Sequence, residues 1–123
     1  MRPPFFIWQD KVLKKIQPED VIAISSDKNY IKIFVVNDKY YIVRSTLTAA
    51  LEKLPSDLIK RVHHRLAVSI NYADHIAKDH LHIEGEENPL PISRQHYQAF
   101  ISSLNIVGGE ESVKKKKRRE VKK

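Results

Sequence analysis

Residues 58–76 read Leu58-Ile59-Lys60-Arg61-Val62-His63-His64-Arg65-Leu66-Ala67-Val68-Ser69-Ile70-Asn71-Tyr72-Ala73-Asp74-His75-Ile76. The apolar positions suit a strand in a core, yet Lys60, Arg61, His63, His64 and Arg65 crowd the six residues directly before the apolar run. Five cationic or titratable side chains beside a buried strand are costly to place unless they serve a purpose. The stretch reads as a rigid strand start that carries polar groups towards an anionic partner. If the chain is extended here, His63 and His64 point to opposite faces, so only one can meet that partner. His63 is assigned to a partly buried structural role and His64 to the exposed one.

Downstream, Tyr72–Lys78 and Asp79–Ile83 read as strands, with His80 and His82 alternating against Leu81 and Ile83. Gly85-Glu86-Glu87-Asn88 turns the chain into Pro89-Leu90-Pro91-Ile92-Ser93-Arg94. Ser93 has the setting of an N-cap, with Ile92 and Tyr97 spaced as a hydrophobic staple. Tyr97, Phe100, Ile101 and Leu104 make the apolar stripe of a final helix expected to end near Gly108-Gly109. Arg94 falls at the first helical position, where a cation opposes the helix dipole. That placement points to an anionic ligand for Arg94.

Upstream, Phe5–Ile16 reads as a strand or hairpin, Gln17–Asp20 as a turn and Val21–Ile24 as a buried strand. Ser25–Asn29 is a polar loop. Tyr30–Val36 and Lys39–Arg44 flank Asn37-Asp38, two residue types that tolerate positive φ, which predicts a hairpin with a two-residue connection. Between Ser45 and Leu54 the period changes: Leu47, Ala50, Leu51 and Leu54 predict a short helix, with Ser45 or Thr46 as N-cap and Pro55 as its stop.

At 123 residues with 41% hydrophobic content, the chain suits one globular domain. It lacks an apolar run of the roughly 18 residues that a membrane span needs, and no secretory signal is visible, so a cytoplasmic protein is expected. The absence of cysteine excludes disulfides, thiolate metal sites and Cys nucleophiles. Of the net charge of +7, the segment Glu110–Lys123 supplies +5 and residues 1–109 only +2. Anion binding by the folded part must therefore rest on local clusters. The expected division is a domain over residues 1–109 and a disordered basic tail over 110–123, whose functional use would be non-specific phosphate binding.

The ordered segments Asp20-Val21-Ile22-Ala23-Ile24, Lys28-Asn29-Tyr30, Tyr41-Ile42-Val43-Arg44-Ser45-Thr46-Leu47, Leu54-Pro55, Arg61-Val62-His63-His64 and Pro91-Ile92-Ser93-Arg94 span most of residues 5–106. Together they resemble the LytTR family, the DNA-binding output domains of bacterial LytR/AgrA-type response regulators. The resemblance implies a mostly β fold of short antiparallel strands in small packed sheets with one or two short helices. It further implies sequence-specific binding of double-stranded DNA by loop side chains in successive major grooves, transcription regulation, no catalysis and no cofactor. Carried over residue by residue, it places base contacts on Asn29 or Tyr30, on His64 and on Arg94, with Lys28, Lys60, Arg61 and Arg65 serving phosphates. A homodimer on direct repeats is a further implied partner. Two departures stand out: Arg65 where the family usually has serine, and Val68-Ser69 where it usually has Val-Asn. The receiver domain that usually precedes such a domain is not in this sequence, so phosphorylation of this same chain is not expected to regulate it.

Two rival functions remain. His80 and His82, with Asp79, Glu84 or His75, could bind zinc in a metal-dependent enzyme. Alternatively, a degenerate domain of the same family could bind protein in place of DNA.

Overall fold

The computed structural model describes residues 2–110; residues 111–123, nearly all of the expected basic tail, lie outside the described residues. The strands are β1 (Phe5–Gln9), β2 (Val12–Ile16), β3 (Val21–Asp27), β4 (Tyr30–Val35) and β5 (Lys39–Arg44), then β6 (Ile59–His63), β7 (Leu66–Ser69), β8 (Ala73–Ile76), β9 (His80–Ile83) and β10 (Leu90–Pro91). Helix α1 (Leu47–Leu51) follows β5, α2 (Arg94–Ser102) follows β10, and a 3-10 turn occupies Pro18–Asp20.

A five-stranded antiparallel sheet in the order β5-β4-β3-β7-β6 forms the centre. Alternation along its strands gives it two apolar faces. On one, Ile24, Ile31, Ile33, Val35, Ile59 and Ala67 are covered by Ile7 and Ile16 of the β1–β2 hairpin and by Leu47 of α1. On the other, Ala23, Val62, Leu66 and Val68 meet Leu81 and Ile83 of the β10-β9-β8 sheet and Phe100 of α2. Phe100 is 2% exposed, and burying such a side chain contributes on the order of 2–3 kcal/mol. That packing holds α2, and hence Arg94, against β6.

The architecture is the mostly β, small-sheet arrangement expected, but several boundaries differ. Residues 58–76 are not one rigid strand start: they form the β6–β7 hairpin, turning at His64-Arg65, and then β8. Antiparallel pairing of Ile59 with Ser69 and of Lys60 with Val68 uses both apolar runs at once. Strand β3 continues through Ser25, Ser26 and Asp27, which pair with Lys32, Ile31 and Tyr30, so only Lys28 and Asn29 remain as the turn. The β4–β5 connection has three residues because the Val36 N–H donates to the Asp20 carbonyl (3.0 Å) and leaves the ladder; Asn37 and Asp38 adopt φ of 70° and 57° as their types allow.

The β1–β2 hairpin, one of two alternatives in the sequence, turns at Asp10 (φ 52°) and Lys11 (φ 68°). Helix α1 ends at Leu51 and passes through tight turns, Lys53 N–H to Ala50 and Leu54 N–H to Leu51, before Pro55. Helix α2 ends at Ser102, well before Gly108-Gly109. Leu104 is the last residue of the stripe against the core, and Ile106 and Val107 are exposed, so nothing apolar holds a further turn.

Candidate nucleic-acid interface

Three polar segments far apart in sequence meet at one end of the five-stranded sheet. The pairs Asp27 with Tyr30, Ser25 with Leu66 and Tyr30 with Arg44 fix the strand registers there. Backbone bonds then lock the turns to one another: Ser26 N–H donates to the Arg65 carbonyl (3.0 Å) and Ser45 N–H to the Asn29 carbonyl (2.9 Å). Ser93 N–H donates to the Val62 carbonyl (2.9 Å), which ties the start of α2 to the same end of β6.

The β6–β7 turn is built by its own polar groups. The Arg65 N–H donates to His63 Nδ1 (3.1 Å), so half-buried His63 braces the turn while His64 and Arg65 are exposed. Arg61 spends its guanidinium internally: Nη2 donates to the His64 carbonyl (2.7 Å), Nε to the His63 carbonyl (3.3 Å) and Nη1 to Thr48 Oγ1 (2.9 Å). It thereby fastens the turn to α1, whose N-cap is Thr46, accepting from the Ala49 N–H at 3.1 Å. Ser69, at the family's usual asparagine position, is fully buried and its Oγ accepts from the Asn71 N–H (3.3 Å), holding the turn into β8.

At the start of α2, Ser93 Oγ accepts from the His96 N–H (3.2 Å) and lies 2.7 Å from His96 Nδ1. Burial pushes the His96 pKa below its ordinary value, and the charges of Arg61, His63 and His64 push it the same way. In the tautomer with its proton on Nε2, a neutral ring accepts the Ser93 hydroxyl proton at Nδ1 and closes the cap on both sides.

The structure thus gathers Lys28 (φ 60°), Asn29, Tyr30, His64, Arg65 and Arg94 as exposed side chains on one end. Lys60 is not among them. It is half-buried opposite Val68, and its charge acts on Asp57 near the other end of β6. Sequence reasoning missed Arg44, Thr48 and His96. Of these, His96 had a readable signal, because Ser93-x-x-His96 has the N-cap to N3 spacing of a capping box. Among the described residues none of the cations Lys28, Arg44, Arg65 and Arg94 is in an ion pair. Asp27 lies at this end too, but Lys28, Arg44, Arg65 and Arg94 outnumber it, a setting that attracts a polyanion.

The histidines suspected of metal binding are elsewhere. His80 and His82 share one face of β9 with ring centroids 5.5 Å apart, and His75 lies opposite His82 at 6.3 Å, both pairs edge to face. Among the described residues no three His, Asp or Glu side chains come together in a way that could hold a metal ion.

A family model described as the LytTr DNA-binding domain matches residues 11–105. The chain belongs to the LytTR family. The matched span runs from the tip of the β1–β2 hairpin to just past α2 and contains every residue gathered at the polar end. Among solved structures, the LytTR fold here is similar to a LytTr DNA-binding domain of a methyl-accepting/DNA response regulator from Bacillus cereus. The TM-score is 0.71 at 15% identity, over 86% of this chain and 100% of the other. At that identity the likeness concerns the fold. No curated protein matches the sequence. LytTR domains are a DNA-binding family and not a family of enzymes, and among the described residues no helix is long and apolar enough to cross a membrane.

Proposed function

We propose that this LytTR domain binds double-stranded DNA at specific sequences and regulates transcription from the cytoplasm, without catalysing a reaction. The observation that carries the proposal is the convergence of the Lys28-Asn29 turn, the His64-Arg65 turn and the Ser93-Arg94 cap on one end of a rigid sheet. Separate turns presented at one end can each offer side chains to the base edges of a major groove.

In this reading Arg94 offers its fork of donors to guanine O6 and N7, the pairing that discriminates most strongly among bases. His64 and Asn29 or Tyr30 reach base edges in the same way, while Lys28 and Arg65 contact phosphates and release counterions. The family resemblance assigns Lys60 and Arg61 to phosphates as well. Arg61, bonded to two carbonyls and Thr48, contributes by holding the His64 turn in shape, and Lys60 would meet a phosphate from its half-buried place on β6. Charged residues of Glu110–Lys123 add sequence-independent attraction.

Genome-wide mapping of bound sites, followed by mobility shifts on the recovered sequences, tests this reading. A shared motif bound much more tightly than random DNA is expected. Binding without preference, or no binding at all, would favour a domain that recognises protein instead.

A further inference from the structure

The β1–β2 hairpin has two different faces, and the proposed DNA contacts use neither. Residues directly opposite one another in an antiparallel ladder share a face. Phe5 opposite Ile16 and Ile7 opposite Lys14 therefore turn towards the central sheet, where Ile7 and Ile16 are buried. Phe6 opposite Lys15 and Trp8 opposite Leu13 turn away from it. Phe6, Trp8 and Leu13 are consequently 55%, 63% and 50% exposed, with Val12 at the tip 63% exposed. A small domain seldom leaves so many large apolar side chains together at one surface unless something covers them.

The support beneath this face is stiff. The inner side is packed on the core, and Gln9 Nε2 donates to the Trp8 carbonyl (2.8 Å) and to the Ile42 carbonyl of β5 (3.1 Å), which pins the tip to the edge of the central sheet. A partner therefore meets Phe6, Trp8 and Leu13 already in place, with little ordering cost.

Charge selects the partner. Residues 5–16 hold Lys11, Lys14 and Lys15 against one carboxylate, Asp10. Lys14 is engaged within the fold, its Nζ 5.8 Å from the centre of the Tyr41 ring. Lys15 stands on the outer face beside Phe6, and Lys11 is exposed at the turn. Next to the hairpin, Lys39 and Asp20 line one cleft with Lys14 and Lys15 and add one charge of each sign. Lysine is depleted at the centre of protein–protein contacts. Exposed tryptophan, phenylalanine and leucine bordered by lysine instead suit a bilayer surface, where rings lie at headgroup level and ammonium groups reach lipid phosphates.

We propose that the outer face of the hairpin is a peripheral membrane contact: Phe6, Trp8 and Leu13 enter the headgroup boundary of an anionic bilayer, and Lys11 and Lys15 meet its phosphates. The contact shares no residue with the proposed DNA interface, so either can fail without the other.

Trp8 is the single tryptophan of the chain, so its fluorescence reports on this face alone. The full chain is titrated with vesicles of mixed phosphatidylglycerol and phosphatidylcholine, and with phosphatidylcholine vesicles. On the anionic vesicles the Trp8 emission should shift to the blue and be quenched by brominated acyl chains, with little change on phosphatidylcholine alone. Leu13→Glu and Lys15→Glu, both at exposed positions and checked for folding by circular dichroism, should each weaken partitioning about tenfold or more. The basic segment Glu110–Lys123 can hold the same vesicles by charge alone. Co-sedimentation without a blue shift or bromine quenching therefore overturns the proposal. So does an equal shift on phosphatidylcholine alone, or partitioning that is unchanged in either variant. A blue shift that grows with protein concentration in the absence of lipid overturns it too, because a protein surface would then cover the hairpin.

Discussion

At the end of the central sheet where β6 begins, Arg2 is held by two carboxylates: Nη2 donates to Asp57 Oδ2 at 2.7 Å and Nη1 to Glu19 Oε2 at 3.3 Å. At the other end, Arg44, Arg65 and Arg94 form no ion pair among the described residues, and the turns beneath them are fixed by backbone bonds. Residues of one type thus serve two purposes. A neutralised arginine ties a terminus down, whereas an arginine on a braced turn with its charge unanswered is kept available for a ligand. Rigidity of the support and freedom of the charge, taken together, distinguish the binding end from the structural one.

The contrast can be broken by substitution. The largest effect is expected at Arg94: Arg94→Ala should weaken binding to the specific site by about 1–3 kcal/mol and to random DNA far less. Equal losses on both in a mobility-shift titration would reduce Arg94 to a phosphate contact. Arg61 comes next, because its role is to hold the turn. Loss of its charge-assisted bonds in Arg61→Ala should lower stability by roughly 1–2 kcal/mol in urea unfolding and impair specific binding with it. Arg61→Lys keeps the charge but not the fork and should resemble alanine; recovery of specific binding by lysine would show that charge alone matters there.

A smaller effect is expected from pH. Because His96 has a pKa below its ordinary value, its contribution to stability is fully present above the unfolded-state value and is lost as pH falls through the folded one. Unfolding free energies compared at about pH 7.5 and about pH 5.5 should therefore fall in wild type and fall less in His96→Gln; identical slopes would remove His96 from the account. Arg2→Ala should do least. Its guanidinium holds the Asp57 carboxyl below the usual range, yet the pair is exposed and an exposed pair adds little. DNA affinity should be unchanged, and a large loss would erase the distinction between the two ends.

Much of this was readable in the sequence, for identifiable reasons. The β4–β5 hairpin announced itself through Asn37-Asp38, and both helix caps followed from hydroxyl residues placed before an apolar stripe. What stayed hidden was pairing. Ser25–Asp27 looks like loop because its residues are polar, and only the ladder to β4 makes it strand. The hairpin inside residues 58–76 was obscured likewise, since His64-Arg65 lacks the usual turn residues and is stabilised by Arg61 and His63. Arg61 and Arg65 look alike in the sequence, and the difference in their use depends on Thr48, which reaches Arg61 only through the fold. Contacts between distant segments carry no local signature. Family resemblance implies that the three turns gather at one end, while residue spacing is silent on it.

The proposed binding mode requires this end, and not the Arg2 end, to be the face that meets DNA. Amide chemical-shift mapping by NMR, on titration with a duplex recovered from the genome-wide mapping, separates the two ends. The predicted result is a set of perturbed amides centred on Lys28–Tyr30, His63–Arg65 and Ser93–Arg94, with Asn37, Asp38 and Asp57 unmoved. Perturbations centred on Asn37, Asp38 and Asp57 instead would contradict this assignment of the DNA-binding face.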